Sequence, residues 1–233
     1  MSLIKSKSKT MKTVLILSGP THEYFDPVRF IGNASSGKMG KALAEEAVSQ
    51  GLEVDFISGP VPQENLPNVD AVSPPHHNSQ KNAVRTPHLR IQEITSAEEM
   101  LAAAQTQFST ADIIIFAAAV ADFQPLEKSN EKVPKLGTNL TVELRPTPDI
   151  AATLCANKRD DQIAIGFALQ THNGEAKAKD KLEKKNLDGI VLNTPATLGA
   201  ETGTFTWIDF QRLENWGSLD KAECAKRIFE HAK

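Results

Sequence analysis

Residues 33–40 read Asn33-Ala34-Ser35-Ser36-Gly37-Lys38-Met39-Gly40 and lead directly into a run of helical periodicity. A glycine-rich turn at a helix start presents unpaired backbone N–H groups and the positive end of the helix dipole, which together attract phosphate or carboxylate. Gly32, Gly37 and Lys38 satisfy the phosphate-loop pattern, but Met39 stands where that pattern needs Ser or Thr to hold magnesium. The segment therefore predicts an anion-binding turn of a different design.

Strand patterns lie on both sides of this turn and its helix. Thr13–Ser18 is a short apolar run closed by Ser-Gly-Pro, and Glu53–Ser58 is a second run of the same kind. The helix between them is predicted over Met39–Gln50. The opening of the chain is therefore a βαβ unit whose connection holds the anion-binding turn.

Strand and helix patterns go on alternating along the rest of the chain. Ser96 and Glu99 form a capping box for a helix that ends near Thr106. The other predicted helices are Pro148–Ala156, Glu175–Lys185 and Leu219–His231, and the other predicted strands are Ile91–Ile94, Asp112–Val120, Leu140–Leu144, Gln162–Leu169, Gly189–Asn193 and an edge strand Thr204–Ile208. This alternation predicts an α/β fold, a doubly wound, mostly parallel Rossmann-like sheet with helices on both faces.

We expect a single domain over residues 13–233, preceded by a disordered extension at 1–12. Residues 59–90 are rich in proline and lack periodicity, which predicts a long surface insertion. His76 and His77 within it have no second ligand group at a suitable spacing, so a solvated loop is the better interpretation. Residues 123–137 are polar and contain Pro125 and Pro134, which predicts a mobile active-site loop without regular structure.

Composition narrows the classes of function. The net charge is −3 and the pI is about 6.1, and the lysines are dispersed along the chain, which argues against a nucleic-acid partner. No apolar stretch approaches the roughly 20 residues of a membrane span. Cys155 and Cys224 fall in predicted helices and have no metal-ligand spacing, as expected for inert thiols in a reducing cytosol. We therefore expect a cytoplasmic protein.

Ligands of open parallel sheets bind beyond the carboxyl ends of the strands. The candidate groups there are the anion-binding turn, the small residues that end in Asp122, the lysine-bearing loop around Lys132, and Lys181 with Lys185. The two lysines of this pair are four residues apart on one helix face, which suits a polyphosphate. By composition alone these lysines could equally be ordinary solvated residues, and Asp122 a turn residue.

Several strings, taken in order, make the chain resemble the phosphopantothenoylcysteine synthetase family. The resemblance covers residues 13 to 231 and is specific because the order and spacing of the strings agree. The strings are Ser18-Gly19-Pro20-Thr21, the run from Asp26-Pro27-Val28-Arg29 to Gly40, Ala118-Ala119-Val120-Ala121-Asp122-Phe123, Pro148-Asp149-Ile150, Gly166-Phe167-Ala168 and Asp188-x-Ile190-Val191-x-Asn193.

The resemblance implies a ligase of coenzyme A biosynthesis that joins 4′-phosphopantothenate to L-cysteine. The family activates the carboxylate as an acyl-nucleotide with CTP or ATP in the presence of Mg²⁺ and releases pyrophosphate. The resemblance also implies a homodimer. No flavin is expected, because flavin belongs to the decarboxylase half that often precedes this synthetase, and that half is not expected here.

The resemblance also implies roles for individual residues. Asn33, Lys132 and Asp122 would be catalytic, and Arg29, Asn33, Ala118, Ala119 and Asp122 would bind the substrate, Arg29 reaching the phosphate across the dimer interface. The nucleotide would be bound by Gly19, Ser35, Gly37, Gly40, Asp122, Lys132, Pro148, Asp149, Ile150, Phe167, Lys181, Lys185 and Asn193.

Two other functions compete with this one. An NAD(P)-dependent oxidoreductase would fit the βαβ opening, but the first glycine of its fingerprint is missing and Ser58-Gly59 stands where an acidic residue is needed. A non-catalytic nucleotide-binding module would need no carboxylate-contacting Asn33 beside a phosphate-binding Lys132.

Overall fold

The computed structural model describes residues 12–68, 88–135, 137, 139–169, 174–197 and 199–232. Residues 1–11 of the predicted extension, and 69–87 of the predicted insertion with His76 and His77, lie outside this range. The strands are β1 (Thr13–Ser18), β2 (His22–Tyr24), β3 (Phe30–Gly32), β4 (Glu53–Ser58), β5 (Leu89–Glu93), β6 (Ile113–Phe116), β7 (Phe123–Pro125), β8 (Leu144–Pro146), β9 (Ile163–Leu169), β10 (Gly189–Asn193), β11 (Thr202–Ile208) and β12 (Leu213–Asp220). The helices are α1 (Lys38–Ser49), α2 (Ala97–Phe108), α3 (Ile150–Cys155), α4 (Gly174–Lys184) and α5 (Lys221–His231).

Eight of the described strands form one sheet in the order β12-β11-β10-β9-β6-β1-β4-β5. The six strands from β10 to β5 run parallel, and β11 and β12 add an antiparallel edge. From β1 the chain first builds the sheet toward β5 and then returns to place β6 on the other side of β1. A crevice therefore opens between the carboxyl ends of β1 and β6, where the strand order reverses.

The core lies on both faces of this sheet, since successive residues of a strand point to opposite sides. Val14 and Ile16 of β1 belong to the cluster that includes residues of α1 and α5, whereas Leu15 and Leu17 belong to the cluster that includes residues of α2 and α3. Helix α4 packs in a third cluster with Ile190. The predicted mostly parallel sheet with helices on both faces is confirmed.

Local signals explain where the helices begin. Ser96 caps α2 by accepting a hydrogen bond from the Glu99 N–H, as the capping box predicts. Helix α3 begins at Ile150 and not at Pro148, because the Asp149 side chain accepts from the Ala152 N–H and so caps the helix. Asp220 caps α5 in the same way, so that helix begins at Lys221 and not at Leu219.

Two short hairpins lie outside the main sheet, β2 with β3 and β7 with β8. The prediction that residues 123–137 have no regular structure is wrong for Phe123–Pro125, because Pro125 ends the strand at a position that donates no ladder hydrogen bond. Strand β8, which pairs with β7, begins only at Leu144. The strand predicted over Leu140–Leu144 is therefore wrong except at its last residue. Residues 126–135 contain neither helix nor strand.

Two strand predictions need further correction. The strand predicted over Asp112–Val120 ends at Phe116, since the small residues after it leave the ladder and form only an isolated bridge between Pro20 and Ala119. Thr202–Ile208 is not an edge strand, because β12 pairs with it on the outer side. The sequence analysis missed β12, in which half of the residues are polar and half are exposed.

Helix α1 approaches β1 so closely that only glycine fits at position 40. A Cβ added to Gly40 would lie 1.9 Å from Ser18 Oγ and 2.4 Å from Ser18 Cβ. Both residues are buried. The anion-binding turn therefore sits directly on the end of β1.

Gly40→Ala should destabilise the protein, although alanine is normally favoured over glycine in a helix by about 1 kcal/mol. The clash with Ser18 should lower the free energy of unfolding by about 1–3 kcal/mol, as overpacking does elsewhere. Urea denaturation measures this change. Ser18→Gly in the same chain removes both colliding atoms and should restore most of the loss; a Gly40→Ala protein as stable as the unaltered chain would contradict the packing argument.

Candidate functional site

A cavity of about 640 Å³ occupies the crevice between β1 and β6. Four strand ends contribute to its wall, through Leu17, Phe116, Phe167 and Asn193. The lining includes most residues expected from the sequence, namely Asn33, Ser35, Gly37, Gly40, Ala118, Ala119, Asp122, Pro148, Asp149, Ile150, Phe167, Lys181, Lys185 and Asn193. Parallel strands thus bring together residues that are far apart in the chain.

The anion-binding turn forms one side of the cavity. Gly37 caps α1 with a left-handed backbone, φ 76°, which glycine adopts without strain. The Lys41 N–H already donates to the Gly37 carbonyl. The earlier N–H groups of the first helical turn have no acceptor within the helix. Because these residues line the cavity, their N–H groups are available to an anion there.

Asn33 joins the turn to the end of β6. Its side-chain Nδ2 donates to the Val120 carbonyl at 2.9 Å and to the Ala119 carbonyl at 3.4 Å. The segment after β6 is fixed again at Ala121, whose N–H donates to Thr21 Oγ1 at 3.0 Å. The alanines at 118 and 119 thus form a small-residue wall that a ligand can approach closely.

Two lysines at the end of α4 also line the cavity, Lys181 within the helix and Lys185 directly after it. Lys185 Nζ lies 2.9 Å from the Asp149 carboxylate. Burial and the neighbouring Lys185 ammonium lower the pKa of Lys181. Two partly buried like charges favour an anion between or beside them, because the anion offsets both the desolvation and the repulsion that lower this pKa.

The carboxylates of the cavity differ in their surroundings. Although partial burial opposes it, the hydrogen bonds from Lys185 and from the Ala152 N–H lower the pKa of Asp149, so this group is ionised at neutral pH. The Asp122 side chain is exposed and makes no hydrogen bond or ion pair with the residues that the structure describes. Asp122 is therefore the carboxylate that is free to contact a ligand.

Asn193, at the end of β10, has a buried side-chain oxygen with no hydrogen-bond partner within the described part of the chain. Buried polar atoms in proteins are nearly always hydrogen-bonded. Since Asn193 lines the cavity, this oxygen is a site for a donor group of a ligand, such as a hydroxyl or an amino group.

Two further lysines line the cavity, Lys38 and Lys221, and the sequence analysis assigned a site role to neither, although it noted Lys38 as part of the phosphate-loop pattern. Each is the first residue of a helix, α1 and α5, where the helix dipole disfavours a cation. That mismatch is the signal that could have identified them.

Three predicted site residues do not line the cavity. Gly19 lies beside it and permits close packing, since a Cβ there would lie 2.9 Å from the Gly59 carbonyl oxygen. Lys132 is exposed on the segment after β7. Arg29 lies on the turn between β2 and β3 and points its guanidinium at Asp26 and at the backbone of Val133.

The Asp26 carboxylate is fully buried and binds both the turn between β2 and β3 and the segment after β7. It accepts hydrogen bonds from the Arg29 Nε at 2.9 Å, from the Arg29 N–H at 2.8 Å and from the Val133 N–H at 3.2 Å. Arg29 in turn donates to the Val133 carbonyl at 2.7 Å. The Arg29 guanidinium and these N–H groups hold the pKa of Asp26 well below its usual range. This Asp26–Arg29 turn therefore fixes the position of the residue next to Lys132.

Neither a nucleophilic cysteine nor a metal site made only of protein side chains is supported by the described residues. Burial raises the pKa of Cys155 to about 11 and that of Cys224 to about 12, so neither is a nucleophile at neutral pH. Among the described residues, no group of three or more His, Cys, Asp or Glu side chains is placed to hold a metal ion. No helix in this part of the chain is both long enough and apolar enough to cross a membrane.

Comparison with known proteins identifies relatives over most of the chain. A cysteine/cysteine sulfinic acid decarboxylase from an unknown prokaryotic organism is 40% identical over 230 residues, which cover 97% of this chain and 59% of that protein. The coenzyme A biosynthesis bifunctional protein CoaBC of Bacillus subtilis (strain 168) is 40% identical over 195 residues, which cover 84% of this chain and 43% of that protein. The chain thus spans about half the length of these curated relatives.

A solved structure of similar extent supports the same assignment. The crystal structure of the C-terminal domain of CoaBC is 34% identical, has a TM-score of 0.72, and covers 94% of this chain and 93% of its own. Residues 9–233 match the family described as the DNA/pantothenate metabolism flavoprotein C-terminal domain. The family resemblance seen in the sequence motifs is confirmed. The chain therefore belongs to the DNA/pantothenate metabolism flavoprotein C-terminal domain family.

Proposed function

We propose that this protein is a phosphopantothenate–cysteine ligase that works through an acyl-nucleotide. The observation that carries the proposal is the cavity itself, which is lined together by the anion-binding turn, by the small-residue wall that ends in Asp122, and by Lys181 and Lys185. The similarity to proteins named for coenzyme A biosynthesis supports it. The products would be phosphopantothenoylcysteine, pyrophosphate and a nucleoside monophosphate.

The nucleotide polyphosphate would lie between the N–H groups of the turn and the ammonium groups of Lys181 and Lys185. Displacement at an α-phosphorus requires positive charge around the leaving pyrophosphate and little covalent help from the protein. Lys181 and the N–H groups of residues 36–40 supply that charge. The unpaired oxygen of Asn193 would accept a hydrogen bond from the nucleotide. CTP and ATP both fit this description.

The phosphopantothenate carboxylate would lie beside Asn33, Ala118 and Ala119, where small side chains allow it to reach the α-phosphorus. Cysteine would then attack the activated carbonyl with its own amine. The protein needs no thiol for this chemistry, in agreement with the buried, protonated Cys155 and Cys224.

Mg²⁺ would accompany the nucleotide. This ion is usually held by one or two carboxylates together with substrate phosphates and water. Asp149 is engaged by Lys185, which leaves Asp122 as the cavity carboxylate that fits such an ion. When bound, the ion would neutralise phosphate charge. Flavin would not be needed.

The working unit would be a cytoplasmic homodimer. Large apolar side chains are exposed on or beside the two hairpins, and β2 packs against β7. Such side chains are expected at protein–protein interfaces. The residues concerned are Val28, Phe30, Phe123, Leu126, Leu140 and Leu144. Because the same hairpins adjoin Arg29 and Lys132, an interface there would bring these cations close to a neighbouring site.

Without cysteine, the protein should still convert phosphopantothenate and a nucleoside triphosphate into the acyl-nucleotide and pyrophosphate. The four triphosphates are compared in a pyrophosphate-release assay with Mg²⁺, and the acyl-nucleotide is identified by mass spectrometry. The same assay determines the choice between CTP and ATP. Release of nucleoside diphosphate and inorganic phosphate would instead indicate an acyl-phosphate mechanism and refute the proposal.

Lys132→Gln should slow the activation half-reaction by about a hundredfold, since a charge-assisted contact made in the transition state is worth a few kcal/mol. Single-turnover kinetics measures the rate. Lys128→Gln is the matched control, because Lys128 is exposed on the same segment and should leave the rate unchanged. If both variants behave alike, Lys132 has no role in catalysis.

Arg29→Ala and Asn33→Asp should each abolish most activity, and mixing the two inactive proteins should restore part of it. In a mixed dimer, one site would contain both native residues if Arg29 serves the neighbouring subunit. Exchange of subunits is confirmed by native mass spectrometry. If the mixed dimers stay inactive, Arg29 acts only within its own subunit, where it binds Asp26.

A further inference from the structure

Lys38 and Lys221 line the cavity but have no part in the chemistry proposed above. Lys221 is nearly enclosed, with 9% of its surface exposed. Its ammonium donates to the carbonyl of Thr197 at 3.3 Å and to the carbonyl of Ala200. These acceptors are neutral, and Thr197 is buried and Ala200 partly buried, so Lys221 is a fixed structural cation.

Lys38 has a different environment. Its ammonium donates to the Gly199 carbonyl at 3.2 Å and forms an ion pair with Glu201. The Lys38 side chain is 28% exposed, and that of Glu201 is 78% exposed. An ion pair with such an exposed carboxylate contributes little stability, because solvent and salt screen it. Lys38 can therefore leave this partner easily.

We propose that Lys38 is a ligand for the nucleotide polyphosphate and that the Glu201 carboxylate competes with the polyphosphate for it. The inference rests on the proposed function, because it concerns the anion that the same cavity accepts. Lys38 directly follows Ser35, Ser36 and Gly37, whose backbone forms the anion-binding turn, and all four residues line the cavity. The Lys38 side chain can therefore reach a polyphosphate that is bound by this turn.

The charges favour the exchange. A polyphosphate offers several anionic oxygens, and hydrogen bonds from an ammonium to such oxygens are stronger than neutral ones. The neighbouring Lys221 ammonium adds positive charge on the same side, since it also interacts with Glu201 and Lys38. The polyphosphate must displace the Glu201 carboxylate from Lys38. Glu201 therefore weakens anion binding at the turn in the nucleotide-free protein.

Inorganic tripolyphosphate is the probe, because it carries no base and no ribose. Isothermal titration calorimetry at low ionic strength measures its Kd for the unaltered protein and three variants. Lys38→Met should raise the Kd about tenfold, and Glu201→Gln should lower it about two- to fivefold. In the double variant, Glu201→Gln should no longer lower the Kd, because the residue for which it competes is gone.

The matched controls are Lys41→Met and Glu45→Gln. Lys41 and Glu45 are both on α1 and carry the same charges as Lys38 and Glu201, respectively. They form an ion pair of 3.9 Å, but neither lines the cavity. They should change the Kd less than twofold. Circular dichroism verifies folding, and Lys38→Gln replaces Lys38→Met if the latter does not fold.

Ligation by the unaltered protein is measured in parallel. If ligation occurs and Lys38→Met binds tripolyphosphate as the unaltered protein does, this inference is overturned and the proposed function stands. The inference is also overturned if the two control variants shift the Kd as much as the test variants. If no ligation occurs, the proposed function fails, while the Kd values still decide whether Lys38 binds phosphate.

Discussion

The close contact between helix α1 and the end of β1 is the constraint on which the site depends. Because no side chain fits at Gly40, the first turn of α1 lies directly against Ser18. The free N–H groups of that turn are thereby brought to the edge of the sheet at the carboxyl ends of β1 and β6. The residues at the ends of β6, β9 and β10 then complete a cavity around them.

Three cations in or near this site are paired with a carboxylate of the protein. Lys185 is paired with Asp149, Lys38 with Glu201, and Arg29 with Asp26. The pairs differ in burial, since the Asp26 side chain is fully buried whereas Glu201 is largely exposed. A buried partner fixes a cation in place, and an exposed one leaves it free to exchange. The burial of the carboxylate thus distinguishes cations that keep a fixed position from one that can exchange its partner for a ligand.

Much of the fold follows from local patterns in the sequence. The predicted strands Thr13–Ser18, Glu53–Ser58 and Gly189–Asn193 agree with β1, β4 and β10 at both ends, because buried parallel strands are apolar runs that turn residues close. Strand β12 could not be predicted in this way. It is half exposed, and its pairing with β11 is a tertiary contact that no local periodicity reports.

The candidate site was predictable where it consists of strand ends, since parallel topology gathers them at one edge. Lys221 has only a weak local signal, a cation at the start of a helix, and it reaches the cavity only through the order of the strands. The placement of Arg29 and Lys132 outside the cavity likewise depends on how two hairpins pack. Sequence motifs identify such residues, but they do not show in which direction their side chains point.

The hydrogen bonds of Asp26 also set how freely Lys132 can move. The connection between β7 and β8 is long, but it is held near its middle, where the Val133 N–H binds Asp26 and the Ser129 N–H binds the Phe25 carbonyl. A long flexible connection that is anchored in this way behaves as two short ones, each with less conformational entropy to lose. Lys132 lies next to the anchored Val133, so its ammonium can reach only a small volume. Within that volume its effective concentration is high.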